Sequence, residues 1–233
     1  YYSLMSNKGT LFIVATPIGN MKDFTKRAVE VLKDVDLILS EDTRETKKLL
    51  DSYNLTTDQI SYRDQNHKKV FPRILDLLSI GKDLALVSDS GTPLISDPGF
   101  KLVQEVIRAD YEVVTIPGPS AVISALSISG LPTDKFVFLG FLPKGRGQRA
   151  KILKEYGKLD ATLVIYESPH RLEKILKDIS DSLGNRYVAL CGELTKMHEK
   201  CIRGFADDLL DMTTGHRGEY VVLIAKEGYH LDV

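Results

Sequence analysis

Short apolar runs alternate with amphipathic stretches along the first half of the chain. The runs predict strands at Leu11–Ala15, Asp36–Ser40, Gln59–Tyr62, Leu84–Ser88 and Glu112–Ile116. Between them, apolar residues recur at helical spacing, for example at Ala28, Val31 and Leu32. Because strand and helix patterns alternate, the sequence predicts βαβ units and a largely parallel sheet.

A second series of strand-like runs fills the rest of the chain. We predict strands at Phe136–Phe141, Leu163–Tyr166, Tyr187–Leu190 and Tyr220–Ala225. The segment Ser129–Thr133 contains Gly and Pro and is a plausible linker between the two series. The sequence therefore predicts an α/β fold with two α/β domains, residues 1–130 and residues 131–233.

Two dipeptides mark predicted helix starts. Asp97-Pro98 and Ser168-Pro169 each place a capping side chain before a proline at the first helical position. We therefore expect the loops before these dipeptides to lie at the carboxyl ends of strands.

Composition narrows the class of protein. The chain has 233 residues, 43% hydrophobic and 27% charged, which is enough for a sizeable core. No apolar run approaches the roughly 18–20 residues of a membrane span, and the first nine residues do not have the pattern of a signal peptide. The net charge of −1 is unlike that of a dedicated nucleic-acid binder, so any nucleic-acid contact must come from a local patch.

Cys191 and Cys201 are the only cysteines. A pair ten residues apart makes neither a disulfide framework nor a zinc site. We therefore expect a reducing, cytoplasmic location.

Glycine and proline are concentrated in loops that follow the predicted strands. These loops are Thr16–Asn20, Glu41–Arg44, Asp89–Pro93, Pro117–Ala121, Tyr166–Arg171 and Cys191–Thr195. In open α/β sheets, ligands bind outside the carboxyl ends of the strands, and glycine lets the backbone approach a ligand closely. Tight turns are the alternative explanation, but together the loops favour a ligand site.

The side chains of these loops indicate the class of ligand. The three glycine- and proline-rich loops of the first domain carry no lysine that could hold a polyphosphate, and Asp89 places a carboxylate at a strand end. Such loops suit a nucleoside that bears a positive charge, and S-adenosylmethionine has these features. The alternative for Asp89 is an aspartate that caps a turn.

Six segments resemble, in order, the bacterial ribosomal RNA small subunit methyltransferase I family. They are LFIVATPIGNMKDFTKRAVEVL, SEDTRETKKLL, LVSDSGTPLISDPGFKLV, IPGPSAVISALSISGLPTDKFVFLGFLPK, YESPHRLEKIL and GELTKMHE. That family belongs to the tetrapyrrole methylase fold, the class III S-adenosylmethionine-dependent methyltransferases. The resemblance runs from about Gly9 to about Ala225. Precorrin methyltransferases share the fold but commonly have Gly-Asp-Pro where this chain has Ser88-Asp89-Ser90.

The resemblance implies a fold, a reaction and a set of partners. It implies two α/β/α domains with the cofactor in the cleft between them, in a homodimer, and 2′-O-methylation of a cytidine ribose in the decoding region of 16S rRNA. The second domain would complete the site for the donor. Relatives often continue into a small helical C-terminal region that would add RNA-binding surface. The cofactor contacts it implies are Ile18, Asp89, Gly91, Thr92, Ser120, Ala121, Tyr166, Gly192 and Leu194.

A ribose hydroxyl is a poor nucleophile, so a general base is expected near it. The candidates at predicted strand ends are Glu41, Asp42 and Glu167, of which we favour Glu41. A salt bridge between Glu41 and Arg44 is the alternative. Arg44 could instead hold an RNA phosphate with its planar guanidinium.

Five basic residues lie close together with no acid among them, namely Lys144, Arg146, Arg149, Lys151 and Lys154. We expect Lys144, Arg146 and Arg149 to contact RNA phosphates, with a solvated helix face as the alternative. Arg63, His67, Lys68 and Lys69 form a weaker patch that we expect to be solvated.

Metal chemistry is not predicted. His170 has Glu167 and Glu173 nearby, but no second histidine or cysteine completes a ligand set. We interpret His170 as a hydrogen-bonding residue at the rim of the ligand site, and we expect no metal cofactor.

Two further functions stay open at this point. A precorrin-type methyltransferase would need a pocket for a polyanionic macrocycle. A nucleoside-binding or ribosome-associated module without catalysis would bind the same ligand but transfer no methyl group. Tight cofactor binding alone would not separate these from an rRNA methyltransferase.

Overall fold

A computed structural model describes residues 8–213 and 218–231. The chain divides into two compact units, residues 1–120 and 121–233. In the described part of the chain, no helix is long and apolar enough to cross a membrane.

The first unit is built on a sheet of five parallel strands in the order β3-β2-β4-β1-β5. The strands are β1 (Thr10–Val14), β2 (Leu37–Ser40), β3 (Gln59–Ser61), β4 (Leu84–Val87) and β5 (Glu112–Ile116). The helices are α1 (Lys26–Asp34), α2 (Thr43–Ser52), α3 (His67–Ser79) and α4 (Phe100–Arg108). The predicted βαβ organisation is confirmed here, with strand ends within a residue of the prediction.

Both faces of this sheet are covered by helices. Ile38 and Val87 pack in one core with residues of α1 and α2. Leu39 and Leu86 pack in the other core with residues of α3 and α4. Because successive side chains of a strand point to opposite faces, strands buried on both sides need continuous apolar runs. That requirement explains why β2 and β4 appear in the sequence as unbroken apolar stretches.

The second unit is also built on five strands, in the order β6-β7-β10-β8-β9. They are β6 (Phe136–Phe141), β7 (Thr162–Glu167), β8 (Tyr187–Gly192), β9 (Lys200–Phe205) and β10 (Tyr220–Ile224). Only β6 and β7 pair in parallel, whereas β10 is antiparallel to both β7 and β8, and β9 is antiparallel to β8. The second sheet is therefore mixed, and β9 was not predicted.

Among the described residues of the second unit, the helices are α5 (Ala121–Ser129), α6 (Arg146–Tyr156) and α7 (Leu172–Leu183). Leu153 of α6 and Ile175 of α7 belong to one large core with residues of β7, β8 and β10. Helix α5 contacts β8, β9 and β10. Because α5 packs on the second sheet, the two units divide after Ser120, ten residues before the boundary predicted at residue 130.

Helix starts follow the predicted signals only in part. Ser168-Pro169 opens a 3-10 turn, Pro169–Arg171, which leads directly into α7. Asp97-Pro98 does not open α4, which begins at Phe100 after Gly99 with φ +124°. A left-handed φ of this kind is a conformation that glycine adopts easily, so the helix starts where the glycine turns the chain.

The two cysteines form a disulfide. Strands β8 and β9 are antiparallel neighbours and place Cys191 directly opposite Cys201, with their Cα atoms 4.1 Å apart. Sequence spacing gives no information on strand pairing, so this pairing was not predicted.

Candidate functional site

The carboxyl ends of the five parallel strands bring the predicted loops of the first unit to one edge of the sheet. Arg63 follows β3, Glu41 follows β2, and Asp89 follows β4. Thr16 follows β1 and Gly118 follows β5. The sheet order therefore places an arginine, two acids and two small residues in one row, where ligands of open α/β sheets bind.

The loop after β4 is fastened to the loops on both sides. Thr16 and Gly91 exchange two backbone hydrogen bonds, of 2.8 and 3.2 Å. The Thr92 hydroxyl donates to the Pro119 carbonyl at 3.1 Å. On the other side, the Asp89 carboxylate accepts from the Asp42 N–H at 3.0 Å. This loop, Asp89–Pro93, therefore crosses the carboxyl edge of the sheet from the β2 side to the β5 side, and we call it the strap.

Two glycines let these loops approach one another closely. A Cβ on Gly118 would lie 3.0 Å from the Ala15 Cβ. A Cβ on Gly91 would lie 3.2 Å from the Ile18 side chain, and Gly91 also has a left-handed φ of +81°. Small residues here leave backbone groups accessible along the sheet edge.

Three carboxylates gather beside this strap. Glu41 is half-buried, and burial raises the pKa of its carboxyl, which the charge of Asp89 raises further. Burial also raises the pKa of the Asp89 carboxyl, although the residue keeps an exposed surface. A carboxylate with a raised pKa in a loop at the sheet edge is a better proton acceptor than an ordinary surface acid.

Asp42 has a different environment from Glu41. It is the N-cap of α2 and accepts from the Arg44 N–H at 2.9 Å. The Arg44 guanidinium also donates to both Asp42 carboxylate oxygens, at 3.1 and 2.7 Å. These hydrogen bonds from Arg44 hold the pKa of the Asp42 carboxyl well below its ordinary value. Arg44 therefore pairs with Asp42 rather than with Glu41, and its side chain is 84% exposed.

The predicted cofactor contacts of the second unit each have different neighbours. They are Tyr166, Gly192 and Leu194. The Tyr166 ring packs against Phe138 and Phe141, with ring centroids 4.9 and 5.4 Å apart. A Cβ on Gly192 would lie 2.4 Å from the Tyr220 ring, so packing by itself requires glycine there. Leu194 is buried.

Glu167, the third candidate base, is buried in the second unit. It is 1% exposed, accepts from the Ser168 N–H at 2.8 Å, and lies 3.3 Å from the Arg171 guanidinium. Burial raises the pKa of its carboxyl. His170, in the following turn, is exposed. The closed surroundings of Glu167 favour a structural role.

The predicted RNA-binding residues separate into two groups. Lys144 is exposed, and Arg146 is 69% exposed while pairing with Asp181 at 2.6 Å. Arg149 is only 6% exposed and pairs with buried Asp178 at 2.6 Å. Its guanidinium also donates to the carbonyls of Pro143 and Lys144. The expectation that Arg149 contacts RNA is corrected, because its donors are already used inside the protein.

Two residues of the supposedly solvated patch have definite contacts. Arg63 donates to the Glu41 carbonyl at 2.9 Å. His67 is buried and makes hydrogen bonds of 2.9 Å to Tyr62 and to Glu105. The expectation of solvation is wrong for His67. The position of Arg63 directly after β3 was the signal that could have identified it, because β3 is the neighbour of β2.

No group of three potential ligand side chains in residues 8–213 and 218–231 has the arrangement of a metal site.

Residues 10–210 match the family model described as tetrapyrrole (corrin/porphyrin) methylases. The chain is 44% identical over 229 residues to a ribosomal RNA small subunit methyltransferase I of Halalkalibacterium halodurans, covering 97% of this chain and 79% of the relative. It is 48% identical over 196 residues to a protein of the same name from Thermotoga maritima, covering 84% and 88%. The chain belongs to the ribosomal RNA small subunit methyltransferase I family.

The fold of this methyltransferase is shared with more distant solved structures. A diphthine synthase matches with a TM-score of 0.73 at 12% identity, covering 95% of this chain and 91% of that one. A uroporphyrin-III C-methyltransferase from Thermus thermophilus, solved in complex with S-adenyl homocysteine, matches with a TM-score of 0.64 at 16% identity. That match covers 93% of this chain and 97% of the other. These likenesses confirm the predicted tetrapyrrole methylase fold.

Proposed function

We propose that this methyltransferase of the small subunit methyltransferase I family uses S-adenosylmethionine to methylate the 2′-hydroxyl of a cytidine ribose in the decoding region of 16S rRNA. The observation that carries the choice of a hydroxyl acceptor is the position of the half-buried Glu41 at the carboxyl edge of the first sheet, beside the loop after β4. The names of the relatives support rRNA of the small subunit as the substrate.

The residues of the first unit fit the donor by their chemistry. The strap after β4 offers backbone groups, small side chains and the Asp89 carboxylate, and its glycine at position 91 lies where a Cβ would meet Ile18. A carboxylate suits the hydroxyl and ammonium groups of a positively charged nucleoside. The donor contacts that we propose are Ile18, Asp89, Gly91, Thr92, Ser120, Ala121, Tyr166, Gly192 and Leu194.

S-adenosylmethionine supplies a methyl group on a sulfonium, so the protein has only to align the reactants and remove a proton. We place the ribose 2′-hydroxyl against Glu41. As that oxygen takes the methyl group and the sulfur–methyl bond breaks, the Glu41 carboxylate accepts the hydroxyl proton. A positioned base of this kind contributes about 10²–10⁴-fold in rate.

Glu41 is a better candidate for this role than Asp42 or Glu167. The Asp42 carboxylate already accepts three hydrogen bonds from Arg44 and has a lowered pKa, so its affinity for a proton is low. Glu167 is 1% exposed, and its carboxylate already accepts from the Ser168 N–H and pairs with Arg171. Arg44 is exposed beside Asp42 and suits an RNA phosphate.

Exposed Lys144 and Arg146 are the RNA-phosphate contacts that we propose in the second unit. With a net charge of only −1, the chain has no general attraction for RNA. We infer that a homodimer builds the complete RNA site and that the enzyme acts in the cytoplasm, where small ribosomal subunits are found.

The test is methyl transfer from labelled S-adenosylmethionine to small ribosomal subunits taken from cells that lack this gene. Nuclease mapping then locates the label. Label on a single cytidine ribose of 16S rRNA is the expected result. Label on a tetrapyrrole acceptor but not on subunits would favour a precorrin-type enzyme, and donor binding without transfer would favour a binding module.

A further inference from the structure

Arg63 is the basic residue that the loop after β3 brings to the acidic end of the sheet. Its Nε donates to the Glu41 carbonyl at 2.9 Å, and a terminal nitrogen lies 3.8 Å from the Asp42 carboxylate. The Arg63 charge also acts on the Asp89 carboxyl, where it lowers the pKa. One guanidinium therefore acts on a backbone carbonyl and two carboxylates from two neighbouring loops.

The loop that carries Arg63 is well anchored. The Tyr62 N–H donates to the Ser40 carbonyl at 2.8 Å, which continues the pairing of β3 with β2 by one residue. The Asn66 side chain accepts from the Arg63 N–H at 2.9 Å and donates to the Ser61 carbonyl at 3.0 Å. The base of the Arg63 side chain is thus fixed, while the side chain itself is half exposed.

We propose that Arg63 is a positioning residue for methyl transfer, an inference that rests on the function proposed above. Arg63 holds the Glu41 peptide in place and balances the negative charge around the Glu41 carboxylate. The charged groups that face Glu41 include both negative and positive side chains. Asp89 and Asp42 are negative and Arg63 is positive. Arg44 does not take over this task, because its hydrogen bonds go to Asp42.

The charges around Glu41 affect the pH at which its carboxyl group ionises. Burial and Asp89 raise the pKa of the Glu41 carboxyl, and Arg63 lowers it. Glu41 accepts a proton only when it is ionised. Arg63 therefore extends to lower pH the range in which the base is usable. Without Arg63, the acid limb of the pH–rate profile moves to higher pH.

The first experiment measures the pKa of the Glu41 carboxyl by carbon-13 NMR on protein labelled at the glutamate δ-carbon. The Glu41 signal is assigned by its absence from the Glu41→Gln variant. The variant is Arg63→Gln, and the matched control is Arg73→Gln, since Arg73 is an exposed arginine on α3. We expect Arg63→Gln to raise the Glu41 pKa, because a neighbouring positive charge is lost, and Arg73→Gln to leave it unchanged.

The second experiment measures kcat and KM for methyl transfer to small subunits against pH. In Arg63→Gln, the acid limb of kcat should move upward by the same amount as the NMR pKa. Arg63→Lys keeps the charge but loses the planar donor that reaches the Glu41 carbonyl. Its acid limb should stay near that of the wild type while its plateau kcat falls.

These outcomes separate the two proposals. The NMR titration needs no substrate, so it tests the action of Arg63 on Glu41 even if the wild-type protein fails to methylate subunits, a result that would refute the proposed function alone. An unchanged Glu41 pKa in Arg63→Gln would overturn the inference about Arg63. So would a raised KM with an unmoved acid limb, because that pattern belongs to a simple phosphate contact.

Discussion

The Asp89 carboxylate accepts from the backbone N–H of Asp42, the residue after Glu41, at 3.0 Å. This hydrogen bond links the two neighbouring strand-end loops that carry the proposed base and the proposed donor contact. Because these loops lie side by side, the charge of Asp89 raises the pKa of the Glu41 carboxyl.

The role of Asp89 in donor binding is tested by Asp89→Ala. We expect the Kd for S-adenosylmethionine to rise at least tenfold, because a charge-assisted hydrogen bond contributes about 1.5–3 kcal/mol. Asp89→Asn keeps an acceptor for the Asp42 N–H but loses the charge, and should fall between wild type and Asp89→Ala. Calorimetry measures all three. Asp58→Ala, at an exposed acid on the first unit, is the control, and equal affinities throughout would refute the role of Asp89.

The choice of base is tested by the pair Glu41→Gln and Asp42→Asn. Glu41→Gln should lower the single-turnover rate about 10²–10⁴-fold with donor affinity unchanged. Asp42→Asn keeps a good N-cap for α2 and should retain most of the rate. A large loss in Asp42→Asn with full activity in Glu41→Gln would reverse the assignment.

The pH dependence of the wild-type enzyme follows from the same group. Burial raises the pKa of the Glu41 carboxyl, with a further rise from the charge of Asp89. Because the base must be ionised, kcat should fall as pH falls through this raised pKa. The midpoint of the fall should therefore lie above the ordinary pKa of glutamate. An acid limb at or below that ordinary value would contradict Glu41 as the base.

The close approach at Gly91 is tested against a matched glycine. Gly91 and Gly228 have left-handed φ angles of +81° and +74°. A Cβ on Gly91 would meet Ile18 at 3.2 Å, whereas a Cβ on Gly228 would meet nothing within 4 Å. Gly228→Ala should cost only the backbone strain of about 1–2 kcal/mol. Gly91→Ala should cost more and also weaken donor binding, as measured by urea unfolding and calorimetry.

The buried pair of Arg149 and Asp178 should contribute to stability rather than to RNA binding. Arg149→Met leaves the buried Asp178 carboxylate without its main partner and should reduce the free energy of unfolding by about 3–5 kcal/mol. Adding Asp178→Leu should recover much of that loss. Arg146→Ala removes an exposed arginine that lies 3.4 Å from the Asp178 carboxylate and pairs with Asp181, and it should change stability much less than Arg149→Met. It should lower RNA affinity and reduce the salt dependence of binding by about one counterion, a result that Arg149→Met should not share if the protein stays folded.

Much of the first unit could be predicted from sequence because its strands β2 and β4 are buried on both faces. Continuous apolar runs such as those of β2 and β4 leave no doubt about where a strand lies. The edge strand β9 was missed because Arg203 and Gly204 interrupt its apolar residues, and an edge strand needs only one buried face. Strand direction in the second sheet could not be predicted, since an apolar run such as β10 has the same pattern in either orientation.

Candidate site residues were predictable when position along the chain determined their environment, and not otherwise. Glu41 follows a predicted strand, and the structure places it at the sheet edge. Arg149 belongs to a basic run in sequence, but the phase of α6 turns its side chain inward to Asp178 on α7. The partner of Arg44 likewise depended on the capping geometry of Asp42, which a list of neighbouring charges does not reveal.

The most direct test of the account is nucleoside mass spectrometry of 16S rRNA after small subunits from cells lacking this gene are incubated with S-adenosylmethionine and enzyme. Wild-type protein and Asp42→Asn should each form 2′-O-methylcytidine, and Glu41→Gln should form little. A methyl group on a base, or equal yields of 2′-O-methylcytidine from Glu41→Gln and wild type, would contradict the account.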